Sequence, residues 1–209
     1  MRLIRTTVTV AFALCVSATL MHAQDVDAFF GVGTAMDSSS GQAIDTFATG
    51  SPFTTPRLGG TFGKAGADFM FSKHLGVGAE TDWRFSQGSY TGLNYRPMFY
   101  DFNAIWEPTG GGERRVVPMI EAGVGGARLS FYYPTSYCDQ FAGCSSSNNF
   151  LESSNHFQVH LGAGVSLYMT HHLFVRPQVD AHYVNNFFQF GSSWVPEFGA
   201  SLGWSFASH

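Results

Sequence analysis

Histidine and acidic residues with metal-binding chemistry occur together in the last third of the chain. If the strands on either side of residues 170–172 pair as a tight hairpin, His160 lies opposite His182, and Asp180 is two residues from His182. Imidazole and carboxylate groups are frequent ligands of transition metals. The spacing contains no compact ligand motif, so we favour a pair of hydrogen-bonded histidines, one of them charged by Asp180. We therefore expect no bound metal and no other cofactor.

A serine nucleophile with a histidine base can also be drawn from a single segment. Ser153, Ser154 and His156 are close in sequence, with Glu152 beside them and Asp139 in the same polar stretch. A nucleophile, a base and an orienting acid are the elements of a hydrolase site. A stretch rich in serine and asparagine produces such combinations by chance, so the sequence predicts no catalytic residue and no enzyme.

The elements that position these residues alternate with a period of two rather than 3.6. Residues 75–85 are the strictest example, with apolar residues or threonine on one face and glycine or charged residues on the other. Such alternation is typical of a strand between two different environments. Eight segments of this kind follow one another, at residues 28–36, 61–71, 75–85, 95–107, 116–133, 157–169, 173–184 and 194–206. Each is near or above the roughly 9 to 11 residues that a tilted strand needs to cross a bilayer.

The connections between these segments alternate in length. Short connections lie at residues 72–74, 108–113 and 170–172, and longer polar or aromatic ones at 37–55, 86–94, 134–156 and 185–193. Short turns on one rim and long loops on the other are typical of an up-and-down antiparallel barrel.

The composition indicates which face of the strands points outward. Only 12% of the residues are charged, while 16% are aromatic. This is about half the charge of an ordinary globular protein. Aromatic residues near strand ends, such as Trp106 and Trp204, match the belts of a membrane barrel. The apolar faces are therefore predicted to contact lipid, rather than to line a cavity as in a soluble lipocalin-like barrel. Lipid permits no open sheet edge, so the strands must close.

The start of the chain predicts export. Arg2 and Arg5 precede an almost unbroken apolar run at residues 8–20. This pattern indicates a cleaved signal peptide over residues 1–23, which leaves residues 24–209 as one barrel domain. The formal net charge of -4 gives no basic surface for nucleic acid, and the mature chain has no apolar run long enough for a membrane helix.

The signal peptide, the eight alternating segments and the sequence LGWSF at residues 202–206 resemble the small eight-stranded outer-membrane β-barrels of Gram-negative bacteria, the OmpA/OmpX-like group. The resemblance covers essentially the whole mature chain. It implies an all-β, eight-stranded antiparallel up-and-down transmembrane β-barrel in the bacterial outer membrane. It also implies contact with outer-membrane lipid and insertion by the barrel-assembly machinery. We expect a monomer.

The interior of an eight-stranded barrel is just wide enough for side chains, so charges inside it must pair. Pairing residue 71 with residue 75 brings Lys64 opposite Asp82, and pairing residue 169 with residue 173 brings Ser166 opposite Arg176. Inward glycines leave room for long polar side chains. The predicted inward polar network comprises Lys64, Asp68, Glu80, Asp82, Arg84, Asp101, Asn103, Glu121, Gln158, His160, Arg176, Gln178, Asp180, His182 and Glu197.

The long loops contain a predicted disulfide and several aromatic rings. Cys138 and Cys144 remain in the mature chain, and the exported location favours a disulfide between them. The loop aromatics are Tyr137, Phe141, Phe187, Phe188 and Phe190. These rings either form a surface for a protein, glycan or lipid partner, or pack over the mouth of the barrel.

The sequence therefore predicts a non-enzymatic outer-membrane barrel with a plugged polar lumen and a structural or adhesive role through its extracellular loops. An extracellular protein or glycan is the expected partner. The first alternative is a narrow channel for small or apolar solutes. The second is a lipid-modifying enzyme. The lipid A deacylase among barrels of this size carries a His-x-Ser motif, and serine is absent two residues after His156, His160 and His182.

Overall fold

The computed structural model describes residues 25–38, 41–45, 48, 50, 52–111, 114–139, 143–187 and 190–206. The predicted signal peptide lies outside these residues, so its boundary stays a prediction. Among the described residues, no helix is long and apolar enough to cross a membrane.

The described residues form eleven strands. In chain order they are β1 (Asp25–Ala35), β2 (Ala43–Ile44), β3 (Phe53–Thr54), β4 (Phe62–Met70), β5 (Leu75–Arg84), β6 (Gly88–Tyr90), β7 (Leu93–Trp106), β8 (Val116–Asp139), β9 (Gly143–Tyr168), β10 (Leu173–Val184) and β11 (Trp194–Ser205). The three shortest, β2, β3 and β6, lie in the long connections, and the other eight form the barrel wall.

The eight wall strands close into a ring. Each pairs antiparallel with its neighbours in the order β1, β4, β5, β7, β8, β9, β10 and β11. β11 then pairs back onto β1, with Ala28 opposite Trp204. The ring leaves no unpaired wall edge, and the predicted eight-stranded antiparallel barrel is confirmed.

The register predicted across the tight turns is confirmed as well. Lys64 lies opposite Asp82 on β4 and β5, and His160 lies opposite His182 on β9 and β10. The backbone N–H of Phe71 donates to the carbonyl of Leu75 at 3.2 Å, which closes the first of these turns. Because side chains alternate between the faces, this register assigns the charged residues of β4, β5 and β10, together with His160 and His182, to the lumen.

The outer face of the wall is apolar. Phe102 at mid-strand is 68% exposed and Leu161 is 58% exposed, as expected for side chains that contact lipid rather than a protein core. Exposed aromatic rings mark both rims, with Phe85, Phe157 and Trp194 on the long-loop side and Phe71, Trp106, Trp204 and Phe206 on the short-turn side. An apolar band between two aromatic belts is the exterior of a transmembrane barrel.

The prediction that residues 134–156 form a loop is wrong for most of this segment. β8 and β9 remain paired past an irregularity between Phe131 and Tyr132, out to Asp139 opposite Gly143. This extension, residues 132–139 and 143–152, is called the hairpin arm below. Both of its faces are largely exposed, so its sequence shows no apolar alternation, although its backbone is hydrogen-bonded as strands.

The predicted disulfide joins the two strands of the hairpin arm near its tip. Cys138 and Cys144 are directly opposed in the strand register and are bonded. Near the base of the arm, the rings of Tyr132 and Phe150 pack edge to face with centroids 5.9 Å apart. The arm is therefore held by backbone pairing, the disulfide, the aromatic pair and side-chain hydrogen bonds, such as that between Thr135 Oγ1 and Ser147 Oγ at 2.7 Å, rather than by a core.

Replacing both cysteines, as Cys138→Ser with Cys144→Ser, should loosen the hairpin arm but not the barrel. A disulfide that closes so short a loop stabilises the folded arm by about 2 kcal/mol. Backbone amides near the tip should therefore exchange roughly 30-fold faster in the double variant than in the wild type. Hydrogen exchange read by mass spectrometry checks this, with the wall strands as the internal control. Unchanged exchange in the arm, or a lower unfolding midpoint of the barrel, would contradict this account of the arm.

Candidate functional site

The centre of the lumen is organised around one buried ammonium group. Lys64 Nζ lies 2.6 Å from Glu80 Oε1 and 2.8 Å from Asp180 Oδ2. Two further carboxylates are more distant, Asp82 Oδ1 at 3.5 Å and Glu197 Oε1 at 3.6 Å. Lys64 is fully buried. Its contacts connect β4 to acids on β5, β10 and β11. Its shortest contacts are not with Asp82, the partner that the strand register predicts, because the ammonium extends across the lumen.

His160 adds a second positive charge to this cluster. Its Nδ1 lies 2.9 Å from Asn103 Oδ1, and its Nε2 lies 3.2 Å from Asp180 Oδ1. The amide nitrogen of Asn103 donates to Glu121 Oε2 at 3.3 Å, which leaves Asn103 Oδ1 as an acceptor. An imidazole that donates from both nitrogens is an imidazolium. The geometry therefore supports a charged His160.

Gln178 links three of the carboxylates. Its Nε2 lies 2.6 Å from Glu121 Oε1, 2.9 Å from Asp180 Oδ1 and 3.3 Å from Glu80 Oε2, so its two hydrogens are shared among three acceptors. One neutral amide thus spans three acidic side chains. The lumen centre is an ion-pair and hydrogen-bond network in which several acids share few donors.

The metal-binding interpretation of this region fits less well than the ion-pair network. Glu80, Glu121, His160 and Asp180 present potential ligand atoms that all lie within 4.8 Å of one another. Lys64 Nζ already contacts two of these carboxylates, and both ring nitrogens of His160 are engaged by protein acceptors. A cation would have to displace the lysine and take a proton from the histidine.

His182 connects the polar centre to an apolar layer. Its ring stacks on His160 with centroids 4.9 Å apart and on Phe99 with centroids 5.0 Å apart. Its nitrogens face acids at longer range, Asp101 Oδ2 at 3.7 Å and Glu197 Oε2 at 3.6 Å. The two histidines stack face to face rather than turning their nitrogens toward a common point. Their predicted opposition is therefore a stacking contact.

Apolar side chains close the lumen on the long-loop side. Phe187 and Phe190 are buried, and their rings lie 4.4 Å apart, so these two predicted loop aromatics cover the mouth rather than forming an exposed surface. Tyr137 is exposed on the hairpin arm, while Phe141 and Phe188 lie outside the described residues. The apolar plug consists of Ala35, Leu58, Phe62, Tyr95, Phe99, Ala127, Leu129, Val184, Phe187, Phe190 and Val195.

Arg84 lies beyond the apolar plug and not in the carboxylate network to which the sequence assigned it. Its Nη1 donates to the backbone carbonyl of Arg57 at 3.1 Å, and the hydroxyl of Tyr95 donates to the same carbonyl. Within the described part of the chain it forms no ion pair with an acid. The physical reason is position: Arg84 is the last residue of β5, at the rim, and the plug separates it from Lys64.

A polar cleft opens at this rim, above the apolar plug. Its volume is about 600 Å³, and its lining includes Arg57, Arg84, Tyr90, Tyr95 and small hydroxyl side chains such as Thr55. We call it the mouth cleft. The sequence did not predict it, because residues 52–60 have no periodic pattern that would place them over the barrel.

The short-turn side of the lumen contains a second cation. Arg176 Nη1 donates to Asp68 Oδ2 at 2.5 Å, and its Nε donates to Ser166 Oγ at 3.0 Å. The guanidinium lies between the rings of Phe29 and Phe174, 4.8 Å and 4.9 Å from their centroids. Planar guanidinium groups are suited to simultaneous stacking and ion pairing. The lumen is therefore filled at both ends as well as at its centre.

Sequence reasoning missed one member of this second group. Asp27 Oδ2 lies 3.5 Å from Arg176 Nη2, and its inward position on β1 is clear from its burial. The first predicted segment began at residue 28. Continuing the alternation of Phe29, Gly31 and Gly33 backward by one step would have placed Asp27 on the same face.

The serine and histidine of the proposed hydrolase combination do meet. His156 Nε2 lies 3.1 Å from Ser154 Oγ, and the His156 ring packs on Phe187 with centroids 5.5 Å apart. No ion pair joins His156 to any acid whose side chain is described, and Glu152 is exposed. The described residues thus contain the serine and histidine without an acid that orients the histidine.

The central network predicts strong coupling between Lys64 and its nearest acids. Lys64→Met should cost about 3 to 5 kcal/mol of unfolding free energy, because it leaves buried carboxylates without their cation. With Glu80→Gln in a double-mutant cycle, the coupling should be about 1 to 3 kcal/mol, and with Asp82→Asn smaller, because Asp82 is farther from the ammonium. Urea titration of refolding into lipid vesicles measures these values.

The matched control for this cycle is Asp68→Asn, another buried acid that pairs with Arg176 instead. Its effect should add to that of Lys64→Met within about 0.5 kcal/mol, because the two side chains share no partner. Additive losses for Lys64 and Glu80 would show that the ammonium is not the common partner of the carboxylates.

Comparison with solved structures identifies the fold. The chain is similar to Ail, the attachment invasion locus protein of Yersinia pestis, in its complex with the heparin analogue sucrose octasulfate, at 13% identity over 88% of this chain and 99% of that chain, with a TM-score of 0.52. It is similar to Neisserial surface protein A at 15% identity, 88% and 96% coverage and a TM-score of 0.51. A major outer membrane protein from Thermus thermophilus gives 12% identity, 86% and 99% coverage and a TM-score of 0.50. No protein-family model and no curated protein matches the sequence. At these identities the likeness concerns the fold, and the chain has the closed eight-stranded fold of small outer-membrane β-barrels.

Proposed function

We propose that this chain is a non-enzymatic outer-membrane barrel that conducts no solute through its lumen and acts by binding a partner at its extracellular end. The observation that carries the proposal is the filled lumen. The apolar exterior and the fold support insertion in the outer membrane, with the short turns in the periplasm and the long loops outside. Insertion by the barrel-assembly machinery and a monomeric state belong to the same proposal.

Three successive layers of side chains fill the lumen. Arg176 and its partners lie at the short-turn end, the Lys64 network lies at the centre, and the apolar plug lies beneath the long loops. An ion entering from either side would meet fixed ion pairs or an apolar layer. The layers support a closed barrel over a narrow channel, which is the main alternative.

The extracellular end offers the surfaces that a binding protein needs. The hairpin arm projects beyond the wall, with Tyr137 and Phe150 exposed along it. The mouth cleft combines Arg57 and Arg84 with two tyrosines. Arginine pairs with sulfate or carboxylate groups, and aromatic rings pack against sugar faces, so this cleft suits an acidic glycan. Ail, which shares the fold, has been crystallised with a heparin analogue. We therefore propose a sulfated or otherwise acidic glycan as the partner.

The purified barrel should show no steady ion current in a planar lipid bilayer. The reason is that the Lys64 network and the apolar plug leave no continuous aqueous path. Single-channel recording over a range of voltages measures this directly. A reproducible open-channel current from the wild-type protein would reject the closed lumen and favour the channel.

Binding to immobilised heparin should fall at least tenfold on Arg57→Gln, because one charge-assisted hydrogen bond is worth about 1.5 to 3 kcal/mol. The substitution keeps the backbone carbonyl that Arg84 and Tyr95 contact. Arg115→Gln, in the short turn at the opposite rim, removes the same charge and should bind as the wild type does. Equal losses in both variants, or undiminished binding by Arg57→Gln, would reject the mouth cleft as the glycan site.

A further inference from the structure

Of the outward-pointing positions that the structure describes on the barrel wall, only two are charged. These are Arg96 on β7 and Arg128 on β8, and both are exposed. All other described outward positions of the eight wall strands are apolar, glycine or uncharged polar residues. Two charges of the same sign on one apolar surface require a specific explanation, because a charge facing hydrocarbon is costly.

The two arginines are neighbours. The register places Met98 opposite Arg128 and Arg96 opposite Ser130, so the arginines are diagonal partners on the same face of adjacent strands. Side chains at such positions start about 7 to 8 Å apart, a distance that two long guanidinium side chains can bridge to reach one group. Both therefore point into the same small region of the surface.

Their height on the barrel coincides with the edge of the hydrocarbon. The outward positions of β8 from Val116 to Gly126 contain no charge, and Arg128 is the next outward residue. Ten residues at about 3.3 Å each, tilted by about 40°, span roughly 25 Å, which is the height of the apolar band of an outer-membrane barrel. Arg128 and Arg96 thus lie at the level of lipid headgroups on the long-loop side.

The arginines line a groove with apolar walls. Its volume is about 380 Å³, and its lining includes Trp83, Arg96, Met98, Arg128, Tyr132 and Phe150. Trp83 and Met98 lie in the same register row as Arg128 and belong to the apolar band of the wall, while Tyr132 and Phe150 lie at the base of the hairpin arm. The groove therefore combines two guanidinium groups with apolar side chains at the upper edge of the apolar band.

Among the described residues, no acidic side chain neutralises these two arginines. Arg128 Nη2 donates to Ser153 Oγ at 3.3 Å, which is a neutral partner. Within the described residues, neither Arg96 nor Arg128 forms an ion pair with an acid. An external anion would relieve the repulsion between them, and arginine pairs bind phosphate through paired N–H donors.

We propose that Arg96 and Arg128 form a binding site for the phosphate group of a lipid of the outer leaflet, with acyl chains of the same lipid packed on Trp83 and Met98. The apolar lining of the groove selects an amphiphile over a soluble anion, because a free phosphate would contact only the guanidinium groups. The site rests on the proposed membrane insertion alone. It does not depend on the closed lumen or on glycan binding.

Native mass spectrometry of the folded barrel in detergent micelles, titrated with diphosphoryl lipid A, tests the site. The wild-type protein should retain one lipid, and Arg96→Gln combined with Arg128→Gln should lower the apparent affinity at least tenfold. Arg115→Gln at the opposite rim is the matched control and should bind as the wild type does. Arg96→Lys with Arg128→Lys keeps the charge but not the planar donors, and should give an intermediate affinity.

Two further titrations separate the possible sources of the anion. A phosphate-free form of the same lipid should bind no better to the wild type than to the double glutamine variant. Inorganic phosphate at the same concentration should not compete with lipid A. The proposal would be overturned if the wild type bound the phosphate-free lipid as tightly as it binds lipid A, if inorganic phosphate competed with lipid A, or if wild type and double variant bound lipid A equally. Heparin binding by the double variant should be unchanged, which distinguishes this site from the mouth cleft.

Discussion

The structure depends on one constraint, namely that backbone N–H and carbonyl groups facing hydrocarbon must find hydrogen-bond partners within the protein. A strand sheet meets that constraint only when its first and last strands pair, as β1 and β11 do here. Closure then creates two environments that differ sharply, lipid outside and a narrow lumen inside. The period-two alternation of the sequence is the direct consequence, because successive side chains enter opposite environments.

The narrow lumen imposes a second requirement, namely that charged side chains buried inside it are paired with one another. An acid buried there without a cation is strongly destabilising, and one lysine at the centre contacts four carboxylates. The room for this crowding comes from glycine. A Cβ atom at position 162 would lie 2.5 Å from Asp180 Oδ1 and 2.6 Å from Glu121 Oε1, so a larger residue would displace the acids of the network. Glycine on one strand therefore leaves room for the long polar side chains of the neighbouring strands.

The two ends of the barrel differ in kind. Arg176 and Asp68 close the short-turn end with an ion pair, whereas the long-loop end is closed by an apolar plug beneath a polar cleft. The outer rim also bears the exposed hairpin arm and the only charges described on the lipid-facing wall. Surfaces with specific chemistry are thus concentrated at the long-loop end, which is why the proposed functions are binding functions and leave the lumen closed.

The sequence by itself determined the number of wall strands, their inner and outer faces, the register of two tight hairpins and the disulfide. Each of these follows from local alternation or from short connections, whose geometry is set by neighbouring residues. The tertiary structure alone decided that Lys64 contacts Asp180, 116 positions away, more closely than the opposed Asp82, because cross-lumen contacts depend on strand stagger and tilt that no local pattern encodes. It also decided the burial of Phe187 and Phe190, the isolation of Arg84 above the plug and the extension of β8 and β9 into the hairpin arm. Those outcomes depend on how loops fold over a finished ring, and an irregular stretch of sequence carries no periodic signal of where it will pack.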